Sequence, residues 1–148
     1  MEIIQNIGTK QSKHCKDITP YLEVARDMWY LCFKPCGNHT GAKAIAHCQV
    51  DQENPQRFFV MKDGSIIVNP VIKKRLGKPV RKSEGCMSFA DRHEGGVMRH
   101  KKITVDFYAY AVGSDTFEME HFTDVVIRDD LAFIFQHEID HFNGIHIF

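Results

Sequence analysis

The last strongly apolar segment of the chain, residues 131–142, carries apolar residues on almost every side of a helical projection. Asp129 or Asp130 can cap its start, and Asn143-Gly144 is a typical helix end. A helix that is apolar all round is buried inside a domain and does not lie on its surface. The pattern therefore predicts a central buried helix. Its apolar residues are Leu131, Ala132, Phe133, Ile134, Phe135, Ile139 and Phe142.

A second helical pattern lies nearer the N-terminus. It opens at Thr19-Pro20, where Thr19 can cap the helix and Pro20 suits the first helical position. Apolar residues then recur at the spacing of one helix face. They are Leu22, Ala25, Met28, Trp29 and Cys32. The turn-forming residues 35–38 end the pattern, so we expect an amphipathic helix that packs on the core.

Between the two helices, short apolar or alternating runs separated by turn residues predict β-strands. Residues 37–57 favour a loop with one short apolar run at 44–46. Asp63-Gly64 is a strong hairpin signal, and Asn69-Pro70 separates the next two strands. The predicted strands are residues 57–61, 65–69, 71–74, 103–111 and 117–127, with a turn at 113–115.

These elements predict an α+β fold in one domain, residues 1–148, with antiparallel strands packed around the central helix and one N-terminal helix. Lys plus Arg equals Asp plus Glu at 19 each, which argues against a nucleic-acid partner. No apolar run approaches the roughly 18 to 20 residues of a membrane span, so we expect no membrane partner. The basic residues within 73–82 are best interpreted as a solvated strand edge or loop.

The cysteine count and the N-terminus bear on the compartment. Five cysteines form no paired framework, which favours a reducing environment. Residues 1–5 lack the basic and apolar regions of a signal peptide. We therefore expect a cytoplasmic protein, and a monomer.

The central helix contains the sequence Gln-His-Glu-Ile-Asp-His at residues 136–141. His137 and His141 lie four positions apart and project from one helix face, so their imidazoles can bind one metal ion. Glu138 points about 100° around the helix, from where it can reach a metal-bound water. Two surface histidines on an amphipathic helix are the alternative. The apolar surroundings disfavour it, because buried imidazoles and carboxylates need partners.

A catalytic metal usually has three protein ligands and one open position. One class of His-Glu-x-x-His proteases uses a glutamate well downstream, but only seven residues follow His141. The other common pattern needs a histidine six places after His141, where Ile147 stands, and His146 is one place short. Upstream, Cys86 follows a glycine, and a thiolate suits zinc or ferrous iron. Alone, such a cysteine is more often simply buried.

The two motifs together resemble a known family. Glu-Gly-Cys-Met-Ser at residues 84–88, followed some fifty residues later by the motif at 136–141, is similar to the two corresponding motifs of the peptide deformylases. Those motifs read Glu-Gly-Cys-Leu-Ser and Gln-His-Glu-x-Asp-His. The early helix, residues 67–70 and the Asn143-Gly144 ending also fall where that family has similar residues. The short chain resembles deformylases of phage origin, so we expect a bacterial or phage-infected host cytosol.

The resemblance implies an activity and a set of residue roles. The family removes the formyl group from N-formylmethionyl nascent peptides with one divalent metal, most often Fe(II), with Zn(II) or Ni(II) also suited to these ligands. By the resemblance, Glu138 is the general acid and base, and Gln49 with the Met87 N–H stabilises the oxyanion. The implied metal ligands are Cys86, His137 and His141. The expected substrate contacts are Ala44, Ile45, Gly85, Phe133 and Ile134, and a family arginine that holds the peptide corresponds to Arg92 or His93.

A third family motif, Gly-x-Gly-Leu-Ala-Ala-x-Gln, is altered here. Residues 42–49 read Ala-Lys-Ala-Ile-Ala-His-Cys-Gln, so both glycines have become alanine. Gln49 is retained, but His47 stands where the family has alanine. His47 either turns away as a structural residue, or it narrows the pocket or adds a ligand.

The altered motif leaves a second function open, namely a catalytically impaired deformylase-like protein that binds a metal or a peptide. An endopeptidase with the same metal chemistry is a third possibility. Glu84 and Asp140 are better interpreted as groups that orient the ligands than as catalysts, with Arg99 as a partner for Glu84.

Overall fold

A computed structural model of the protein describes residues 1–33, 42–89, 96–112 and 119–146. Near the N-terminus, a 3-10 turn over Thr19–Tyr21 leads directly into helix α1, Leu22–Phe33. The predicted cap by Thr19 is wrong. Its backbone N–H instead donates to the Asp17 carboxylate at 3.0 Å, because Asp17 lies before the turn and its short side chain reaches back. The predicted break at residues 35–38 lies outside the described residues.

In the described part of the chain, seven strands form two antiparallel sheets. The large sheet has the order β1-β2-β3-β6-β7, and β4 pairs with β5 in the small one. The strands are β1 Ala44–Ala46, β2 Phe58–Met61, β3 Ser65–Leu76, β4 Val80–Lys82, β5 Val97–Arg99, β6 Lys102–Ala111 and β7 Glu120–Arg128. The predicted turn at 113–115 lies outside the described part of the chain.

The hairpin between β2 and β3 forms as predicted. Gly64 has a φ of 91°, a left-handed conformation that glycine adopts without strain. The Asp63 carboxylate accepts the Ser65 N–H at 2.8 Å and closes the turn. The next two predicted strands, residues 65–69 and 71–74, form a single strand in the structure, β3. The pairing of β3 with β6 has a register shift between Val68 and Val71. The shift accommodates Pro70, which has no N–H for the ladder.

Strand β1 lies in a segment for which the sequence favoured a loop. It is only three residues long and pairs with β2, Ala44 opposite Met61 and Ala46 opposite Phe59. A 3-10 turn over His47–Gln49 follows it. So short a strand has no periodicity of its own, and its partner decides its conformation.

Helix α2, Asp129–Phe142, is the central helix of the prediction. It is less buried than predicted, since Leu131 is 37% exposed and Phe133 and Ile134 are half-buried. Neither predicted aspartate caps it, because no side-chain cap is formed at its N-cap residue, Arg128. The helix ends at Asn143-Gly144 as predicted: Gly144 has a φ of 73°, and a Cβ there would collide with the Thr9 carbonyl oxygen.

The core lies on both faces of the large sheet. Alternation along β2 sends Phe58 and Val60 to the cluster against α1, and Phe59 to the cluster against α2. The α+β prediction, with antiparallel strands and two helices, is confirmed. Among the described helices, none combines the length and apolar character that a membrane crossing requires.

Candidate metal centre

Three side chains from two parts of the chain meet at one point. Successive turns of α2 supply His137 and His141, whose Nε2 atoms lie 3.0 Å apart. The loop after β4 supplies Cys86, whose Sγ lies 3.3 Å from Nε2 of His141. All three candidate ligand atoms lie within 4.8 Å of one another. Such a group of one thiol and two imidazoles could hold a metal ion.

Each imidazole has a hydrogen-bond partner on its other nitrogen. Nδ1 of His137 lies 2.8 Å from Oε1 of Glu84, a carboxylate that can only accept, so this nitrogen carries the proton. Nδ1 of His141 lies 2.8 Å from Nδ1 of His146. In turn, Nε2 of His146 lies 2.7 Å from the Gly8 carbonyl oxygen. These networks assign both Nε2 lone pairs to the centre of the cluster.

The cluster favours a positive charge at its centre. Burial lowers the pKa of His137, but hydrogen bonds with Cys86 and Glu84 outweigh burial and raise this pKa to about 10. Burial and the charge on His137 hold the pKa of His141 well below its usual value. Two imidazole nitrogens and a sulfur this close repel one another through their lone pairs unless a proton or a metal cation lies between them. The donor set therefore fits a divalent metal ion.

A buried ion network lies behind His137. Arg99 donates to both Glu84 oxygens, from Nε at 3.1 Å and from Nη2 at 3.0 Å, and its Nη1 donates to Asp140. The contact predicted between Arg99 and Glu84 is thus present. Burial raises the pKa of Glu84, but the bonds from His137 and Arg99 outweigh it and hold this pKa at about 2. Glu84 therefore remains ionised and fixes the orientation of the His137 ring.

Glu138 follows His137 on α2 and points into the interior, where it is only 4% exposed. Burial raises the pKa of Glu138 to about 7, although the charge on His137 opposes this rise. Among the described residues, Oε2 of Glu138 has no hydrogen-bond partner. An orphaned buried carboxylate oxygen is costly, and it is found where a reacting group is to be received.

Gln49 lies on the opposite side of the cluster, at the end of the 3-10 turn. Its Oε1 accepts the Ala46 N–H at 2.9 Å, which fixes the direction of the amide. Its Nε2 donates to Ser88 Oγ at 3.1 Å and lies 3.6 Å from Cys86 Sγ. One amide N–H of Gln49 is therefore directed toward the thiol of the cluster.

The N-terminal segment holds the two loops in place. The Ile4 N–H donates to the Gln49 carbonyl and the Asn6 N–H to the Ser88 carbonyl, each at 2.7 Å. The Gln5 side chain donates to the Met87 carbonyl at 2.9 Å. Sequence reasoning missed this role, because main-chain contacts between distant segments leave no residue pattern.

The expected substrate contacts are not all alike. Gly85 is exposed, and Ala44, Phe133 and Ile134 are half-buried, so these residues can be reached from solvent. The side chain of Ile45 is fully buried in the cluster against α1, away from α2, so only its backbone is available to a ligand. Arg92 and His93 lie outside the described residues.

His47 turns away from the cluster. Its Nδ1 accepts the Gln56 N–H at 2.9 Å, and its ring stacks on Phe58 with 4.7 Å between centroids. Its edge also meets Tyr21 on the α1 side of the sheet. The structural alternative for His47 is therefore the one that the geometry supports.

Comparison with known proteins agrees with this geometry. The family model described as polypeptide deformylase matches residues 6–148. A peptide deformylase of Thermus thermophilus is 33% identical over 152 aligned positions, covering 94% of this chain and 74% of that protein. One of Lactiplantibacillus plantarum is 32% identical over 106 residues. That alignment covers 70% of this chain but 52% of the relative, so the chain spans about half the length of that relative.

Solved structures share the fold. A deformylase of the Vibrio parahaemolyticus bacteriophage VP16T, in complex with actinonin, superposes with a TM-score of 0.72 at 20% identity and covers 99% of both chains. A Plasmodium falciparum peptide deformylase in complex with an inhibitor superposes with a TM-score of 0.73 at 22% identity. The match covers 99% of this chain and 86% of that one. With the family model spanning nearly the whole sequence, the chain belongs to the polypeptide deformylase family.

Proposed function

We propose that this protein is a metal-dependent peptide deformylase, which hydrolyses the formamide bond of N-formylmethionyl peptides and releases formate. One observation carries the proposal: a thiol and two imidazole nitrogens converge at one point, and Oε2 of the neighbouring buried Glu138 has no hydrogen-bond partner among the described residues. Family membership supports the same reaction.

The proposed metal ligands are Cys86, His137 and His141. A divalent ion held there would supply a Lewis acid and make a coordinated water acidic near neutral pH. We propose Fe(II) as the native ion, with Zn(II) or Ni(II) as substitutes, because one thiolate and two imidazoles suit all three.

Glu138 is the proposed general base and then the general acid. Its buried carboxylate would accept a proton from the attacking water and deliver it to the departing amine. Burial raises its pKa to about 7, near the working pH, so the carboxylate can take a proton and the carboxylic acid can return it.

The oxyanion is the charge that the site must stabilise. The amide N–H of Gln49 that is directed toward Cys86 is one proposed donor, and the backbone N–H of Met87 is the other. Both donors are held by bonds that exist before substrate arrives, from Ala46 to Gln49 and from Gln5 to Met87. Such preorganised donors supply much of the catalysis in acyl-transfer sites.

The substrate would add as an extended strand along Ala44 and Gly85, with the backbone of Ile45 contributing. Phe133 and Ile134 lie one turn before the histidine ligands and offer apolar surface for the methionine side chain. We propose that the protein works as a monomer on nascent peptides in the cytoplasm and needs neither nucleic acid nor membrane.

Formate release tests the activity. The protein is loaded anaerobically with Fe(II), Ni(II) or Co(II) and given a formyl-Met tripeptide, with Glu138→Ala as the blank. We expect formate well above the blank. Formate at the level of the blank would instead favour a protein that binds a metal or peptide without turnover, the alternative raised by the altered residues 42–49. Cleavage of internal peptide bonds with formyl peptides left intact would indicate an endopeptidase.

Metal content tests the ligands separately. Cys86→Ser should lose bound metal on dialysis, while Cys15→Ala, a buried thiol in the cluster against α1, should keep it. A Cys86→Ser protein with undiminished metal would contradict the ligand assignment.

A further inference from the structure

We propose that His146 is a positioning residue for the metal centre, which fixes His141 in the tautomer that directs Nε2 at the ion. The inference deepens the proposed function and rests on the metal site described above. The chain would then support its two imidazole ligands with chemically different groups, a carboxylate behind His137 and a neutral imidazole behind His141.

Both hydrogen bonds are donated in one direction, from the cluster toward the backbone. The Gly8 carbonyl can only accept, so Nε2 of His146, 2.7 Å away, carries a proton. A neutral His146 then has a lone pair on Nδ1, which accepts from Nδ1 of His141 at 2.8 Å. With its proton on Nδ1, His141 presents a lone pair on Nε2, the atom 3.3 Å from Cys86 Sγ.

The end of α2 places His146 for this role. The chain turns back at Gly144, where a Cβ would collide with the Thr9 carbonyl oxygen, so the segment after the helix packs closely on residues 8–9. The His146 ring lies 4.9 Å from the His141 ring and 5.4 Å from Phe89, between centroids. His146 is therefore held by its neighbours on both sides.

The two supports differ in charge. Glu84 is anionic and is itself compensated by Arg99, whereas His146 offers one ring nitrogen to each of its two partners. Groups that orient a metal ligand commonly contribute about 10- to 100-fold to metal affinity. We expect His146 to contribute within that range through orientation, without adding a negative charge.

Three substitutions separate the two bonds of His146. In His146→Asn, the amide oxygen can occupy the position of Nδ1 and still accept from His141. In His146→Gln, the longer amide reaches the position of Nε2, which keeps the Gly8 bond and loses the acceptor. His146→Leu loses both, and His121→Leu, an exposed histidine on β7, is the control.

The readouts are Co(II) affinity by chelator competition, the visible absorption bands of the Co(II) protein, and the exchangeable Nδ1–H signal of His141 in the Zn(II) protein by NMR. We expect Leu and Gln at position 146 to lower the affinity by about 10- to 100-fold, to shift the bands and to lose the NMR signal. His146→Asn should stay closer to the parent protein in all three readouts than the Leu and Gln variants do. The His121→Leu control should match the parent protein.

Equal affinity and an unchanged Nδ1–H signal in the Leu and Gln variants would overturn the inference. If His146→Leu fails to fold, the comparison of Asn with Gln decides, and equal behaviour of that pair would also overturn it. A parent protein that binds no Co(II) would overturn the metal site itself, which distinguishes the two failures.

Discussion

The two sides of the candidate metal centre are held by different forces. On one side, buried charges fix the candidate ligand His137: Arg99 bridges Glu84 and Asp140, and Glu84 holds the His137 ring. On the other side, residues 44–49 are held by neutral hydrogen bonds from and to the Gln49 amide. Ligand orientation on the charged side depends on specific ionised groups. The neutral side tolerates change in any side chain that points away from the cluster.

His47 shows this tolerance. It replaces a small residue of the family motif, yet its ring lies on the α1 side of the sheet against Phe58. The two family glycines are alanines in the same segment, and Ala44 sits in a regular strand that alanine adopts without strain. The substitutions in this motif therefore leave the arrangement of Cys86, His137 and His141 undisturbed.

The largest effect should come from Arg99. Arg99→Met leaves Glu84 and Asp140 without their shared partner, and breaking a buried ion pair this way costs about 3–5 kcal/mol in the free energy of unfolding. Urea unfolding measures it. Arg75→Met, an exposed arginine on β3, should change stability by no more than about 0.5 kcal/mol. Equal stability of the two variants would mean that the charged network is not what holds this side.

Gln49 tests the neutral side. Gln49→Ala should lower kcat/KM for formyl-Met peptides by about 10²–10³, the usual result of removing one oxyanion donor. It also removes the acceptor of the Ala46 N–H, which costs about 1–3 kcal/mol of stability. Gln49→Glu keeps that acceptor and removes the N–H donor, but it also buries a negative charge near Cys86, so it should be at least as slow. Near-normal turnover in either variant would exclude Gln49 as a donor.

Glu84 allows the charged support of His137 to be measured. Glu84→Gln keeps the shape of the side chain but removes its charge, so we expect metal affinity to fall by about 10- to 100-fold. Chelator competition with Co(II) measures the change, and Glu23→Gln on the exposed side of α1 is the control. If Glu84→Gln loses more Co(II) affinity than His146→Leu, the charge of Glu84 contributes to metal binding in addition to orienting the ligand. Equal losses of affinity would show that orientation alone accounts for the effect.

The smallest effect concerns His47 and pH. Burial lowers the pKa of His47, against the opposing effect of Asp51, so the folded state binds its proton less readily than the unfolded state. Its contribution to stability is therefore fully present above about pH 6.5 and is lost as pH falls toward the lower pKa of the folded protein. The slope cannot exceed about 1.4 kcal/mol per pH unit.

His47→Asn is the matched variant, because its amide oxygen can replace Nδ1 as the acceptor for Gln56 and does not titrate. Urea unfolding of both proteins from pH 8 to pH 5 should show the parent losing stability relative to the variant as pH falls. Parallel curves would mean that His47 is protonated equally in both states, contrary to its burial.

Sequence reasoning was most successful where one segment carries its own pattern. The spacing of His137 and His141 follows from helix geometry alone, and the Asp63-Gly64 hairpin follows from local turn chemistry. It failed where a distant partner decides the outcome. Strand β1 forms because β2 lies beside it, and Pro70 is accommodated within β3 by a register shift that also involves β6. The predicted N-terminal caps were also wrong, because Asp17 accepts the Thr19 N–H before α1 and no side chain caps α2.

The sequence by itself determined the α+β class, the family and the identity of the candidate ligands, because periodicity and short motifs are local properties of the chain. Only the tertiary structure decided that His47 faces away, that Ile45 is buried against α1, and that His146 and Gly8 support His141. These outcomes depend on which face of a strand meets which helix, and on bonds between residues up to 138 positions apart. No local pattern encodes such contacts, because they form only when the core closes.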